Sequence, residues 1–102
     1  MRIVFVGGVE RTEELLTRVA ADFGDLLVYH SGHVGGAGSG NLRLVIERAD
    51  LVIIQTDVNS HGAVQVARKE ARRAHRETIL LRRCSPSKLR SILAEAHGVA
   101  AA

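Results

Sequence analysis

The sequence has very few aromatic residues, and this scarcity limits how the chain can recognise a partner. Only 3% of its 102 residues are aromatic and Trp is absent, so the core must be built from aliphatic side chains. Proteins that bind single-stranded nucleic acid usually stack the bases on aromatic rings. This chain has few aromatic residues for that mode of recognition.

Cysteine is scarce too, and long hydrophobic runs are absent. Cys84 stands alone, which excludes a disulfide within the chain and is typical of a reducing compartment. No apolar run approaches the roughly 18 residues that a membrane span requires. The short apolar stretch that ends at Gly7 indicates a first strand rather than a secretory leader. We therefore expect a cytoplasmic protein without membrane association.

The charge excess is modest and local. The net charge is +3, and much of the excess lies between residues 68 and 76, on one predicted helix. A basic helix can contact nucleic acid or another polyanion. The alternative is a solvated helix face, partly balanced by Glu70 and Glu77. The sequence favours this alternative, which makes nucleic acid the less favoured partner.

Short apolar runs alternate with helical patterns along the whole chain. The runs predict strands at residues 2–7, 25–30, 50–55 and 78–82. The helical patterns cover residues 12–23, 41–49, 61–76 and 85–98, and the glycine-rich stretch 31–40 is expected to form a loop. Apolar runs without alternation are typical of strands covered on both faces.

This alternation predicts an α/β fold with right-handed crossovers. We expect three layers around an open parallel four-stranded sheet of order 2-1-3-4, similar to flavodoxin and Rossmann folds. One domain would span residues 1–98, followed by a short tail at 99–102. Two unpaired sheet edges and thin, alanine-rich helices would be protected in a homodimer.

Polar and glycine-rich clusters follow each predicted strand. In a parallel sheet these clusters meet at the carboxyl edge, where open α/β folds bind their ligands. The residues that we predict to bind a ligand or cofactor there are Gly7, Gly8, Arg11, His30, His33, Gly35, Gly36, Asp57, Ser60, His61, Arg82, Arg83 and Cys84.

His61 is the most specific of these candidates. At a helix start, the partial positive charge favours a neutral imidazole. Such a ring suits a metal ligand, a haem ligand or a general base oriented by Asp57. The alternative is a surface histidine next to a capping Ser60. No Gly-x-Ser-x-Gly elbow surrounds Ser60, so serine hydrolysis is not expected.

The loop between Gly35 and Gly40 has the glycine spacing of a phosphate-binding loop. Its backbone amides would suit an anion at the start of the next helix. Asn41 and Leu42 stand where that motif has Lys and Ser or Thr, so nucleotide hydrolysis is not expected. A flexible loop without a ligand is the alternative.

Cys84 follows two arginines and precedes a predicted helix. Both features are expected to lower the pKa of its thiol. A thiolate would join His33 and His61 as a candidate metal or haem ligand, although their spacing is not that of a zinc finger. The alternative is a small buried residue. His75 and His97 are expected to face solvent.

Haem is the most specific cofactor candidate. Its propionates would meet Arg11, Arg82 or Arg83, and its size would require a subunit interface. The low aromatic content counts against it, because haem pockets usually stack rings.

The stretch from Ala49 to His61 has a strand ending in a Thr-Asp pair and a later Ser-His pair at a helix start. Together with Gly7-Gly8 and the segment His30 to Gly36, it resembles a bacterial family of domains of unknown function, DUF2325. The resemblance runs from Arg2 to about Leu93. It implies a compact α/β domain with its site at the carboxyl edge, and it brings no assigned activity.

We therefore predict a small ligand-binding or sensor module for an anionic molecule or cofactor. An enzyme that uses His61 with Asp57 is the first alternative. A nucleic-acid binder that uses residues 68–76 is the second.

Overall fold

The predicted strands form one parallel sheet. A computed structural model describes residues 1–8, 10–32 and 38–99. The strands are β1 (Arg2–Val6), β2 (Leu26–His30), β3 (Leu51–Gln55) and β4 (Glu77–Leu81). They lie in the order β2-β1-β3-β4, and each neighbouring pair is parallel. Both the predicted fold class and the predicted strand order are confirmed.

Helices cover both faces of this sheet. Within the described residues they are α1 (Glu13–Asp22), α2 (Gly38–Glu47), α3 (His61–Arg73) and α4 (Pro86–Ala96), with a 3₁₀ turn at Glu10–Thr12. α1 and α4 pack on one face, where Phe5 and Ile53 point. α2 and α3 pack on the other, against Val4 and Ile54. The domain therefore has three layers.

Burial differs sharply between central and edge strands. β3 is buried along its whole length, and β1 from Ile3 onward, because each has a strand on both sides and helices on both faces. The edge strands leave apolar side chains in water: Leu26 of β2 is 53% exposed and Leu80 of β4 is 46% exposed.

The glycine-rich segment contains an early helix start. We expected a loop up to Gly40 and a cap at Asn41, but α2 already begins at Gly38. Glycine in a helix costs about 1 kcal/mol relative to alanine. Burial of Leu42 and Ile46 against the sheet outweighs this cost. His33, Gly35 and Gly36 lie outside the described residues.

Serine caps begin two helices, as their sequence positions predict. The Ser60 hydroxyl accepts from the Ala63 amide at 3.0 Å, and the Ser85 hydroxyl accepts from the Lys88 amide at 3.1 Å. Pro86 occupies the first turn of α4, where a missing amide hydrogen costs nothing. These caps fix where the carboxyl-edge loops become helix.

At the opposite edge, His97 is exposed, as the sequence predicts, but it also has specific partners. Its Nε2 lies 2.7 Å from a carboxylate oxygen of Asp25 and its ring stacks on Phe23. The Asp25 carboxylate is buried, so it attracts the nearest cationic or donor group. None of the helices described is long and apolar enough to cross a membrane.

Candidate functional site

Gln55 joins the loops that follow β3 and β4. Its Nε2 donates to the carbonyl of Asp57 at 3.0 Å, and its Oε1 accepts from the amide of Cys84 at 2.9 Å. The side chain is one of the few buried polar groups, and both ends of its amide are satisfied. The two loops therefore keep a fixed relative position at the carboxyl edge.

An ion pair links the same two loops on their outer side. The Nε of Arg83 donates to Asp57 Oδ2 at 2.6 Å, and the amide of Asp57 donates to the carbonyl of Arg82 at 3.0 Å. The hydrogen bond from Arg83 holds the pKa of Asp57 below its usual value, and the pair raises the pKa of Arg83. Asp57 is thus a carboxylate, and Arg83 is held in place.

An open cleft of about 360 Å³ lies beside this pair. It is lined by Arg11, Thr12, Gln55, Asp57, Val58, Arg83, Cys84 and Ser85. Thr12 precedes α1 and Ser85 precedes α4, so the amino ends of both helices border the cleft. Helix amino ends carry a partial positive charge. Four of the predicted site residues, Arg11, Asp57, Arg83 and Cys84, meet here.

Cys84 does not have the reactive thiol that the sequence suggested. Its side chain is buried in the core between α1 and α4. Burial raises the pKa of the thiol to about 11, and the charge of Lys88 offsets this only in part. The predicted lowered pKa is therefore wrong, because desolvation outweighs the neighbouring positive charges.

Ser60 and His61 lie on a different side of the sheet. The Ser60 hydroxyl donates to the carbonyl of Gly32 at 2.9 Å, in addition to capping α3. His61 is exposed at the start of α3, with its Nε2 3.1 Å from Nε2 of Gln65. α3 packs against the face opposite α1 and α4. Asp57 pairs with Arg83 instead of His61, so the expected acid/base pair is not formed.

The glycines after β1 allow close backbone approach at the middle of the edge. The amide of Gly7 donates to the carbonyl of His30, and the amide of Gly8 donates to the carbonyl of Val58, both at 2.9 Å. Gly7 and Gly8 have φ angles of 95° and 85°, which favour glycine. Tyr29 completes the link, since its hydroxyl donates to the Gly8 carbonyl at 2.9 Å.

Asn59 is a site residue that sequence reasoning missed. Its Nδ2 donates to the carbonyl of Gln55 at 2.7 Å. Its Oδ1 is buried without a hydrogen-bond partner among the described residues. A Cβ at Gly32 would stand 2.2 Å from this oxygen. An asparagine in the loop between β3 and α3, next to the sheet's switch point, was the available signal.

The chain matches one known protein family over most of its length. A family model described as an uncharacterized protein conserved in bacteria, DUF2325, matches residues 2–96. The chain belongs to this family. No curated protein and no solved structure matches the chain. The family match confirms the resemblance read from residues 49–61 and extends it to the last turn of α4.

The DUF2325 domain has a strained residue at the rim of its cleft. Val58 has a φ of 51°, which is rare for a β-branched residue, and its side chain is exposed. Such strain tends to concentrate at functional sites. Its carbonyl accepts the Gly8 bond, which helps to hold it in this conformation.

Two of the three candidate metal ligands, His61 and Cys84, are not brought together, and the third, His33, lies outside the described residues. Within residues 1–8, 10–32 and 38–99, no group of three or more His, Cys, Asp and Glu side chains could hold a metal ion. His30 is half-buried, and its Nδ1 accepts from the Gly32 amide at 3.0 Å. Cys84 and His61 lie on opposite faces.

Proposed function

We propose that this DUF2325 domain is a small binding module that holds an anionic small molecule or cofactor in the carboxyl-edge cleft. One observation carries the proposal: the guanidinium of Arg83, fixed by Asp57, borders an open cleft at which two helices begin. The ligand would present a carboxylate or phosphate group. No step of catalysis is part of the proposal.

Arg83 is well suited to receive an anion. Its Nε is bonded to Asp57 at 2.6 Å, while 83% of its side chain stays exposed to solvent. The terminal amino groups of the guanidinium thus remain accessible. Because the ion pair already orders the side chain, less conformational freedom is lost when a ligand binds. Planar guanidinium groups bind carboxylates and phosphates through paired hydrogen bonds.

The surroundings of Arg83 add further positive potential. Arg11 lines the same cleft and is exposed. The amino ends of α1 and α4 supply backbone dipoles that favour negative charge. Asp57 is the one carboxylate among the lining residues, and Arg83 already balances its charge. The net field of the cleft is therefore attractive to an anion.

The chemistry of the cleft favours binding over catalysis. A thiol with a pKa near 11 is almost fully protonated at neutral pH, so Cys84 is a poor nucleophile. Asp57 is ion-paired, and its lowered pKa makes it a weak base. An exposed His61 on the other face of the sheet has no oriented partner carboxylate.

Haem fits the described residues less well than a small anion. The buried thiol of Cys84 is unsuited to thiolate ligation. His61 and Arg83 lie on opposite faces of the sheet, so an axial ligand and a propionate partner are not side by side. A homodimer stays part of the proposal, with β2 as its contact edge, because β2 is an edge strand and its Leu26 is exposed.

The test is a melting-temperature screen of the purified domain at low salt, followed by calorimetric titration. The probes are pyrophosphate, citrate and ferric haem. We expect pyrophosphate or citrate to raise the melting temperature, and Arg83→Gln to weaken binding about tenfold. Arg90→Gln is the matched control: Arg90 is an exposed, ion-paired arginine of α4 outside the cleft, bonded to Asp22 at 2.8 Å.

Two outcomes would contradict the proposal. Equal loss of affinity in Arg83→Gln and Arg90→Gln would mean that the anions bind through overall charge. A Soret band on adding ferric haem that disappears in His61→Ala, with no response to either anion, would make the domain a haem protein. Sedimentation of the wild type, compared with Leu26→Lys, tests the β2 dimer separately.

A further inference from the structure

The outer side of β4 is an open sheet edge. In the described part of the chain, β4 pairs only with β3. The carbonyl of Leu81 accepts from the amide of Thr56 at 2.7 Å, so the backbone of Leu81 faces β3. Successive residues of a strand direct their backbone groups to opposite edges. Thr78 and Leu80 therefore direct their amides and carbonyls to the open side, where another strand can pair.

A groove runs along this open edge beside α3. It has a volume of about 370 Å³ and is lined by Arg68, Arg72, Arg76, Thr78 and Leu80. Thr78 and Leu80 are exposed beside α3, because the helix does not extend over this edge of the sheet. The groove thus combines an apolar floor, unpaired backbone groups and a row of arginines.

The positive charge of this row is largely uncompensated. Arg73, on the neighbouring face of α3, is neutralised by Glu47 at 3.0 Å and Glu70 at 3.1 Å. By contrast, Arg68 and Arg72 form no ion pair with any residue that the structure describes. Both are exposed, and charges of this kind favour an acidic partner.

The spacing of the arginines matches that of a strand. Residues four apart on a helix, such as Arg68 and Arg72, are separated by about 6 Å along the axis. Side chains on one face of a strand recur about every 6.7 Å. A strand added beside β4 would therefore place alternate side chains opposite successive arginines.

We infer that the groove between β4 and α3 binds an extended acidic peptide segment, which adds to the sheet as a fifth strand. Main-chain hydrogen bonds to Thr78 and Leu80 provide affinity. Carboxylates at alternate positions face Arg68 and Arg72, while Arg76, whose guanidinium donates to the Glu47 carbonyl, borders the end of the groove. Apolar residues between the carboxylates cover Leu80 or the other face. The groove lies on the opposite face from the cleft at Arg83, so this partner is separate from the proposed anionic ligand.

Two other occupants fit the groove less well. A second copy paired through β4 would keep both α3 helices on one face and bring two arginine rows to a single groove, with mutual repulsion. A single-stranded nucleic acid would match the charge but find no aromatic ring among the lining residues on which to stack. It would also leave the open backbone groups of β4 unused.

The probe is a fluorescein-labelled decapeptide of alternating glutamate and valine, followed by fluorescence polarisation. A decapeptide of alternating lysine and valine and an oligothymidine of matched length are the comparison probes. We expect saturable binding of the acidic peptide alone. Arg68→Gln combined with Arg72→Gln should weaken it about tenfold, while Arg18→Gln, an exposed arginine of α1, leaves it unchanged.

Backbone pairing is tested by Leu80→Pro against Leu80→Ala. Proline removes the outward amide hydrogen without disturbing the pairing of β4 with β3, because edge strands tolerate it on the solvent side. We expect Leu80→Pro to weaken binding about tenfold or more beyond Leu80→Ala. If Leu80→Pro fails to fold, amide chemical shifts of Thr78 and Leu80 in the wild type provide the same information, since both must move on adding the peptide.

Several results would overturn the inference. The first is that the acidic peptide does not bind. The second is that it binds equally well to Leu80→Pro and Leu80→Ala, or leaves the amide shifts of Thr78 and Leu80 unchanged, because binding is then independent of the strand edge. Oligothymidine binding with the same arginine dependence would indicate a nucleic-acid surface. A wild-type dimer in sedimentation that Leu80→Pro dissociates would assign the edge to a second copy.

Discussion

The two edges of the sheet are built in opposite ways. At the amino edge, buried polar groups are paired. The Asp25 side chain, 1% exposed, accepts from the Met1 ammonium at 2.7 Å and lies 2.7 Å from His97. Beside it, Asp50 accepts from the Arg2 amide at 2.6 Å and donates to the Arg2 carbonyl at 2.8 Å. This edge is closed by paired polar groups, and its one left-handed residue other than glycine among those described is the unbranched His75.

The carboxyl edge holds the strained β-branched residue and the unpaired buried oxygen. Val58 is left-handed, and Asn59 Oδ1 lacks a partner among the described residues. Backbone strain of this kind tends to occur at functional sites. The contrast between the two edges is therefore one of the grounds for the binding site proposed above.

Gly32→Ala should show the largest difference between regions. The new Cβ would meet Asn59 Oδ1 at 2.2 Å on a backbone with a φ of 91°. We expect a loss of about 3 kcal/mol in the free energy of unfolding. Gly40→Ala in α2, where the Cβ meets nothing within 4 Å, should instead stabilise by about 0.5–1 kcal/mol. Urea denaturation of both variants measures the difference in the free energy of unfolding. If the two changes have equal effects, the close contact with Asn59 does not determine the stability.

Cys84 tests whether the carboxyl edge is chemically reactive. A shift of the thiol pKa from 9.0 to about 11 lowers the thiolate fraction at pH 7 about a hundredfold. We expect reaction with a chromogenic disulfide to be slower by at least this factor in the folded protein than in urea. Rapid reaction in the native state would show that the Cys84 thiol is reactive in the folded protein.

Asp25→Asn tests the closed edge. Burial by itself would raise the pKa of Asp25, but the hydrogen bonds and charges of the Met1 ammonium and His97 hold it below the usual value. We expect a loss of about 2 kcal/mol at pH 7. Asp22→Asn, an exposed carboxylate paired with Arg90, should change stability by less than about 0.5 kcal/mol.

The same carboxylate predicts a pH dependence with a definite sign. A group whose pKa is depressed by folding stabilises the fold above its unfolded pKa, here 3.8. That contribution disappears as the pH falls below this value through the folded pKa. The difference in the free energy of unfolding between wild type and Asp25→Asn should therefore decrease below about pH 4. A constant difference from pH 7 to pH 3 would refute the assignment.

Val58→Gly should have a smaller effect than Gly32→Ala, and one of opposite sign. Glycine accepts the left-handed backbone without cost, so we expect a stabilisation of about 1 kcal/mol. His75 has a similar φ of 56° but ends α3 at the amino edge. His75→Gly should stabilise less, because an unbranched residue tolerates this conformation better. Urea midpoints of the two variants decide whether the strain at the cleft exceeds that at the helix end.

The fold was predictable because its signals are periodic and local. Apolar runs without alternation identified each strand, and serine before α3 and α4 identified two helix starts. The start of α2 was not predictable, because propensity rules penalise glycine while burial of Leu42 and Ile46 depends on the completed sheet.

The candidate site was predictable only as a location. The sequence placed polar residues at the carboxyl edge, but it could not show which of them share a face. Asp57 is close to His61 in the sequence, yet its partner is Arg83, which lies in the next loop and is distant in sequence. The burial of Cys84 and the linking role of Gln55 depend on contacts between β3 and β4, which no local pattern encodes.

Gln55 also has a mechanical consequence for the cleft. Its single side chain joins the Asp57 carbonyl to the Cys84 amide, so a displacement of one loop must carry the other or break one of these two hydrogen bonds. The walls of the cleft therefore move together. In the proposed binding module, the Gln55 side chain would therefore link the cleft to the first turn of α4.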